Sequence, residues 1–341
     1  NPNKQIIAQF SRIAQTQKLT EHIQSIDDNF LYPINKTTKF RQKIFETGYK
    51  LGFHNVLRKT NTSKDALILC FHDISDIPNP SYPSLPVKQF EQIIEYLSKS
   101  YEFSTINNLY RHTKSNKTQV ILSFDDGYKS FRTTVIPILK KYNATAICSV
   151  IVDTVDNGKS FWTDRLNTSL NFIIKNFPHY SFNYENVSFD YNFLKYKSDS
   201  LGYTVFKLLM DKPNEFRWKF IQKLEDQLNI SHKNSTNFMN WDDIKYSVEN
   251  GMTIASHSLT HNALNNLLDE SELEKEIIQS KKIIESKIGT TISIFTCPNG
   301  IYNPKVVDIV QSNGYECMFT TEEHKTRQKF IIKNDNLLIL P

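Results

Sequence analysis

A chain of 341 residues is long enough for one large α/β domain with additions. Hydrophobic residues make up 39% of it and charged residues 23%, which is the composition of an ordinary soluble protein. The net charge of +5 comes from 41 basic and 36 acidic residues spread along the chain, which argues against nucleic acid as a partner.

The first segment, residues 1–62, is predicted to be an N-terminal helical extension. Ile6, Phe10 and Ile13 fall on one face of a helix. A second amphipathic segment follows, and its basic residues are Arg41, Lys43, Lys50, Arg58 and Lys59. These helices either pack on the main domain or make a peripheral contact with an anionic membrane surface. No apolar run approaches the roughly 18 residues of a membrane span, and no signal-peptide pattern is visible.

From residue 63 onward, short apolar strands alternate with amphipathic helices. The predicted strands are 67–71, 120–124 and 146–152, and the helices between them begin at Pro86 and Pro137. Alternation of this kind predicts an α/β fold, with a mostly parallel sheet covered by helices. Residues 63–155 and 241–341 are assigned to this domain.

The alternation stops between residues 156 and 240. This stretch is rich in aromatic residues, namely Phe161, Trp162, Tyr180, Phe182, Tyr191 and Phe193. A predicted helix carries Phe216, Phe220, Leu224 and Leu228 on one side. Because a loop this long without structure of its own is improbable, we interpret 156–240 as an inserted, mainly helical subdomain. Its aromatic residues are expected to form a small core rather than a sugar-stacking surface.

The alternation resumes in the last hundred residues. The predicted strands are 252–255, 293–296, 317–320 and 337–340. A long helix is predicted from a capping box of Ser271 and Glu274 to Gly289, and another from Pro304 to Asn313. The four cysteines, Cys70, Cys148, Cys297 and Cys317, are far apart and form no Cys-x-x-Cys pair. They are expected to be reduced core residues rather than a disulfide framework or a zinc knuckle.

Two adjacent carboxylates, Asp125 and Asp126, follow the strand at 120–124 and precede Gly127. Neighbouring carboxylates repel each other, so a cation or a proton has to neutralise one of them if both lie at the edge of a core. The pair therefore indicates a metal site or an acid/base site. A solvated Asp-Asp-Gly turn is the alternative.

Other polar residues also follow predicted strands. His257 and His261 come after the strand at 252–255, and a helical turn would place both imidazoles on one face, where they could bind one metal ion. His72 follows the first strand, and Pro298 and Asn299 lie in a sharp loop after another. In a parallel sheet the carboxyl ends of the strands share one edge, so these residues are predicted to converge there.

This set of residues suits metal-assisted hydrolysis. One Asp and two His would hold a divalent ion and leave positions for water and a carbonyl oxygen. The second Asp would then serve as general base, and a histidine across the site would protonate the leaving nitrogen.

The motifs resemble those of the metal-dependent polysaccharide deacetylases of carbohydrate esterase family 4, the NodB homology family. Ser-Phe-Asp-Asp-Gly at 123–127 is similar to the family's first motif, and His-Ser-Leu-Thr-His at 257–261 fits the second position for position. The resemblance covers roughly residues 66–341. It implies a distorted (β/α)7 barrel in which Asp125 is the catalytic base. It also implies that Asp126, His257 and His261 bind a divalent metal, most often Zn²⁺.

Two departures from the family pattern stand out. Thr296 occupies the place of a motif arginine that normally braces the catalytic Asp, and no Leu-x-His motif with the usual acid follows near the end of the chain. Both features resemble the circularly permuted branch that includes poly-N-acetylglucosamine deacetylases. That resemblance implies His72 as the acid, and Asn299, after Pro298, as the backbone oxyanion donor. The residue that orients Asp125 is left open.

The function implied is removal of N-acetyl groups from amino sugars of a bacterial surface polysaccharide or its precursor, with release of acetate. An O-acetyl esterase or a deformylase acting on a glycan or lipid-linked sugar is the alternative within the same chemistry. An inactive glycan-binding module is the alternative outside it. The expected partner is an N-acetylated glycan. The sequence assigns no oligomeric state and leaves the cell envelope and the cytoplasmic face of the membrane both open.

Overall fold

The computed structural model describes residues 66–110, 117–192, 198–230, 237–264, 269–320, 331–333 and 337–340. The predicted N-terminal extension at 1–62 therefore lies outside the described residues. Of the described residues, 66–67, 88–110 and 117–120 form a smaller unit, and the others form a larger unit. No helix in these ranges combines the length and the apolar character needed to cross a bilayer.

The strands are numbered in chain order. They are β1 (Ala66–Phe71), β2 (Glu102–Phe103), β3 (Gln119–Phe124), β4 (Ile147–Val150), β5 (His179–Tyr184), β6 (Val187–Asn192), β7 (Thr253–Ser256), β8 (Ile294–Thr296), β9 (Cys317–Phe319), β10 (Ile331–Lys333) and β11 (Leu337–Leu340). The main sheet has the order β1-β3-β4-β7-β8-β9-β11-β10, with β2 beside the start of β3. In this sheet β3, β4, β7, β8, β9 and β11 pair in parallel, and β10 runs antiparallel to its neighbour β11.

The helices lie between these strands. They are α1 (Val87–Ser100), α2 (Ile106–Tyr110), α3 (Ile136–Lys141), α4 (Val152–Asn157), α5 (Trp162–Asn176), α6 (Ser198–Met210), α7 (Asn214–Leu228), α8 (Trp241–Glu249), α9 (Glu270–Glu274), α10 (Ser280–Ile288) and α11 (Pro304–Ser312). Helices lie between the successive strands of this sheet from β1 to β9, and seven strands follow one another from β1 to β11 before the antiparallel edge. The predicted α/β class and (β/α)7 arrangement are confirmed.

The register of the strands aligns their carboxyl ends. Phe124 at the end of β3 pairs with Cys148 in β4, and Val150 at the end of β4 pairs with Ser256 at the end of β7. Ser256 in turn pairs with Phe295 in β8. The residues that follow β3, β7 and β8 therefore emerge at the same edge of the sheet, as a parallel arrangement requires.

Two helix starts differ from the sequence prediction. The helix predicted to begin at Pro137 already includes a π-helical turn at Phe131–Val135, and this wider turn leaves room for a proline ring inside a continuing helix. The predicted capping box of Ser271 and Glu274 is wrong, because Asp269 is the N-cap and its side chain accepts from the Ser271 N–H. An Asp caps as well as a Ser, so the helix begins one residue before Ser271.

The stretch predicted as an insertion contains helices α5, α6 and α7 and the antiparallel hairpin β5–β6, which the sequence analysis missed. The expectation that its aromatic residues form a core is confirmed for Trp162, Phe182 and Tyr191, which are buried in one apolar cluster. Phe161 is an exception, since its ring lies 4.7 Å from the ring of His261. The boundaries at 156 and 240 remain a prediction.

Candidate functional site

The turn after β3 presents two carboxylates by an unusual backbone path. Asp126 and Gly127 both adopt left-handed conformations, with φ of 72° and 70°. An Asp tolerates this region better than most residues, whereas a side chain at Gly127 would be strained and would also contact Val150. The Gly127 carbonyl accepts a hydrogen bond from Met239 N–H at 2.9 Å. The sequence Asp-Asp-Gly thus permits a sharp, fixed turn that leaves both carboxylates buried.

The two histidines of the second motif lie on an irregular loop and not on a helix, so the helical-turn explanation for their spacing is wrong. Ser258 and His261 have left-handed φ of 66° and 62°. The backbone of this histidine loop is hydrogen-bonded to strand β4 and helix α4. His257 N–H donates to Val150 O at 2.9 Å, and Asp153 N–H donates to Leu259 O at 2.9 Å. The fold of the loop itself makes the two imidazoles converge.

Glu276 holds the backbone of the histidine loop in place through hydrogen bonds. Its buried carboxylate accepts the backbone N–H groups of Leu259 and Thr260, each at 2.9 Å, and also the Thr260 hydroxyl. Hydrogen bonds to an ionised carboxylate are among the stronger ones in proteins. Glu276 lies in the π-helical turn Lys275–Gln279, far from the histidines in sequence, and no local motif indicates its role.

Asp126, His257 and His261 come together in a buried cluster. Asp126 Oδ1 lies 3.4 Å from Nε2 of each histidine. Two donors about 2.05 Å from a tetrahedral ion are about 3.3 Å apart, so this spacing fits ligands of one ion better than direct hydrogen bonds. Among the described residues Asp126 Oδ1 has no hydrogen-bond donor, which is costly for a buried carboxylate unless a cation satisfies it. The donor set therefore fits a divalent metal.

The protonation states of Asp126 and His261 are consistent with metal ligation. Burial pushes the pKa of Asp126 upward, yet the imidazoles of His257, His261 and His72 lower it to about 2. Burial lowers the pKa of His261 to about 3, so its imidazole is neutral at neutral pH, as a ligand must be. His257 Nδ1 lies 2.8 Å from Thr296 O, and this contact assigns the proton to Nδ1 and leaves Nε2 free to coordinate.

Removing the Glu276 carboxylate should weaken metal binding by Asp126, His257 and His261, although Glu276 is not one of the proposed ligands. We expect Glu276→Ala to lower zinc affinity by roughly 10–100-fold, the usual cost of losing a group that holds ligands in place. Equilibrium competition with a chromogenic chelator would measure the loss. Glu285→Ala is a matched control, because Glu285 also accepts a backbone N–H, from Ile292 at 2.9 Å, at the far end of the same helical stretch. Equal zinc affinity in both variants would contradict the role given to Glu276.

Asp125 is held by groups other than the arginine of the family pattern. The Cys70 thiol donates to Asp125 Oδ2 at 3.3 Å, and the Ser123 hydroxyl lies 3.5 Å from Oδ1. Thr296, in the arginine's place, pairs its hydroxyl with Ser149 at 2.8 Å. The Cys70 thiol faces inward, and burial together with the Asp125 carboxylate raises its pKa, so the group stays protonated and can donate.

Cys70 itself is the exception to the cysteine prediction. All four cysteines are free, and Cys148, Cys297 and Cys317 are buried as expected, but residue 70 is exposed. The thiol of this exposed residue nevertheless contacts Asp125, because Cys70 lies one residue before the end of β1 and β1 is the neighbour of β3 in the sheet. Its place two residues before His72 is the sequence signal that could have indicated this contact.

His72 lies beside the same carboxylate. It is half-buried, and its ring meets the ring of Tyr82 edge-on with centroids 5.9 Å apart. One ligand atom each from Cys70, His72 and Asp125 lie within 4.8 Å of one another. The strand end of β1 therefore brings His72 next to Asp125, since Asp125 N–H donates to Phe71 O at 2.9 Å.

Pro298 and Asn299 form a tight turn directly after β8. The turn Pro298–Gly300 is a short 3₁₀ helix in which Asn299 has a left-handed φ of 56°. Cys297 N–H donates to Phe319 O at 3.0 Å, and this bond fixes the start of the turn. Because Thr296 O contacts His257, the turn leaves the sheet next to the histidine loop.

Comparison with protein families decides the assignment. Residues 112–187 and 215–318 match the family model described as polysaccharide deacetylase, and together these ranges are more than half of the chain. The chain belongs to the polysaccharide deacetylase family. The prediction made from the Ser-Phe-Asp-Asp-Gly and His-Ser-Leu-Thr-His motifs is thereby confirmed.

Individual polysaccharide deacetylases are also similar to this chain in sequence or in structure. YxkH of Bacillus subtilis (strain 168), whose name places it in this family, is 22% identical over 269 residues, which are 77% of this chain and 67% of that protein. The structure of a Bacillus cereus polysaccharide deacetylase has a TM-score of 0.50 and 17% identity, and covers 80% of this chain and 63% of its own. Streptococcus pyogenes deacetylase PplD, solved with acetate, has a TM-score of 0.49 and 17% identity, with coverages of 76% and 84%. At these identities the Bacillus cereus structure supports the fold and leaves the substrate undecided.

Proposed function

We propose that this chain is a metal-dependent hydrolase that removes N-acetyl groups from N-acetylglucosamine-type sugars of a bacterial surface polysaccharide or its precursor. The observation that carries the proposal is the division of the Asp pair. Asp126 lies 3.4 Å from two imidazoles, while Asp125 turns to Cys70 and His72. One carboxylate is thus available as a metal ligand and the other as a base, which is the arrangement that amide hydrolysis requires.

Asp126, His257 and His261 would hold a divalent ion, with zinc as the first choice because two imidazoles and one carboxylate suit it. When bound, such an ion polarises the acetyl carbonyl and lowers the pKa of a water molecule. The protein fixes the His257 imidazole through the Thr296 carbonyl and the backbone of the histidine loop through Glu276. Neutral His261 needs no deprotonation before it binds.

Asp125 would accept the proton of the attacking water, and His72 would donate a proton to the departing amine nitrogen. The base and the acid lie side by side, since a nitrogen of His72 is within 4.8 Å of an Asp125 oxygen. The backbone N–H of Asn299, after Pro298, would steady the negative charge on the former carbonyl oxygen. Acetate and a free amine are the products.

Two partner assignments remain predictions. The glycan substrate follows from the family, while contact with a membrane would involve the segment 1–62, which lies outside the described residues. Neither the fold nor the site assigns an oligomeric state.

The decisive assay is acetate release from chitooligosaccharides or poly-N-acetylglucosamine fragments. Release should disappear after dialysis against a chelator and return when one equivalent of Zn²⁺ is added. An O-acetylated glycan run in parallel separates amide from ester hydrolysis, and faster turnover of the ester would overturn the N-acetyl assignment. Glycan binding without turnover at any metal loading would instead favour a non-catalytic module.

A further inference from the structure

A second group of potential ligands adjoins the proposed metal centre. Cys70, His72 and Asp125 each offer one ligand atom, and these atoms lie within 4.8 Å of one another. Cys70 Sγ and Asp125 Oδ2 are 3.3 Å apart. None of the three belongs to the Asp126, His257 and His261 cluster.

The distance between the ligand atoms and the chemical identity of those atoms suit a particular class of ion. Sulfur about 2.3 Å and oxygen about 2.0 Å from a tetrahedral ion lie about 3.5 Å apart, close to the separation of Cys70 and Asp125. A thiolate, an imidazole and a carboxylate together favour Zn²⁺ and similar borderline ions over Mg²⁺ or Ca²⁺, which prefer oxygen. His72 is only half-buried and leaves this group of ligands open to solvent on one side, whereas the Cys70 thiol faces inward toward Asp125.

We propose that Cys70, His72 and Asp125 form a second, inhibitory site for a zinc-class ion, filled only when metal is in excess. Binding joins the ion to sulfur, nitrogen and oxygen, and the thiol proton passes to solvent, so no oxidation or reduction takes place. The bound ion then occupies the lone pairs of Asp125 and His72, which the proposed base and acid need for proton transfer. The binding of this ion does not depend on the proposed function, whereas its inhibitory effect rests on that function.

The order of filling follows from the local structure. The first cluster consists of three buried side chains, with the His257 ring bonded to Thr296 and the histidine loop bonded to Glu276, whereas the second requires Cys70 to give up its hydrogen bond to Asp125. The charges of two divalent ions would be largely balanced by the Cys70 thiolate and the carboxylates of Asp125 and Asp126. A second ion beside the first is therefore electrostatically acceptable, but it binds more weakly.

Metal titration of the full chain tests the site. Wild-type protein is titrated with Co²⁺, whose thiolate charge-transfer absorption reports a cysteine ligand, and with Zn²⁺ under equilibrium dialysis. We expect two bound ions, with the charge-transfer band appearing only after the first equivalent. In Cys70→Ser a hydroxyl still donates to Asp125 but the soft ligand is gone, so one ion and no band are expected. Cys148→Ala removes a buried thiol elsewhere and should behave like wild type.

Activity gives the second readout. Acetate release by wild type should rise with the first equivalent of Zn²⁺ and then fall by at least about tenfold in excess, since base and acid are worth roughly 10²–10⁴-fold in rate. Cys70→Ser should lose most of this inhibition, relative to its own maximum. A single bound ion without a thiolate band in wild type, or equal inhibition of both proteins, would overturn the second site. If no acetate is released at any zinc level, the proposed function fails, while stoichiometry and the cobalt spectrum still decide the site.

Discussion

Asp126→Asn is expected to abolish metal binding and to lower acetate release by on the order of 10³-fold or more. Asn keeps the size of the side chain but removes the charge that offsets a divalent ion. In wild type Asp126 Oδ1 lies 3.4 Å from Nε2 of both histidines, and the variant would place an uncharged amide there. Loss of the ion forfeits several kcal/mol of transition-state stabilisation, and about 1.4 kcal/mol corresponds to each factor of ten in rate. Metal content after dialysis and acetate release should fall together.

The same exchange at an exposed position provides the control. Asp190 in the hairpin β5–β6 is exposed and contacts His179 at 2.7 Å, so Asp190→Asn makes the identical chemical change beside a histidine, outside the proposed ligand set. It should retain wild-type metal content and activity. If Asp126→Asn keeps one equivalent of zinc after dialysis, the ligand assignment is wrong, whatever its activity.

The sequence predicted the fold and the meeting of the site residues well, because both depend on short-range patterns. Apolar runs alternating with amphipathic helices specify a parallel sheet, and its register then carries the residues after β3 and β7 to one edge. The convergence of Asp126 with His257 and His261 needed only that rule. The reason given for the histidine spacing was nevertheless wrong, since left-handed Ser258 and His261 replace the expected helical turn.

The supporting contacts were not predictable from the sequence. Glu276 reaches the histidine loop from a helix whose polar face looks ordinary in the sequence. The partner of Asp125 was also left open, because the missing arginine says nothing of what replaces it. Cys70 takes up that contact from a neighbouring strand, and strand adjacency across fifty residues is a property of the sheet order rather than of any local pattern.

Asp125→Asn should separate the base from the metal ligands. We expect the variant to retain the first equivalent of zinc after dialysis as wild type does, while kcat for acetate release falls by roughly 10²–10⁴-fold, the usual contribution of a positioned general base. An amide fills the same space, and its oxygen can still accept the Cys70 thiol donor, but it cannot take a proton from water.

The kinetic parameters should divide in a characteristic way. Because Asp125 acts on the attacking water and not on the bound sugar, KM should change little while kcat and kcat/KM fall together, as expected for an interaction made only in the transition state. Parallel measurement of zinc content then distinguishes this variant from Asp126→Asn, which should lose both metal and activity. If zinc is lost from Asp125→Asn as well, Asp125 is a ligand of the first ion, and if kcat is unchanged, another group removes the proton. Either result would end the division of labour between the two adjacent carboxylates, on which the hydrolase mechanism depends.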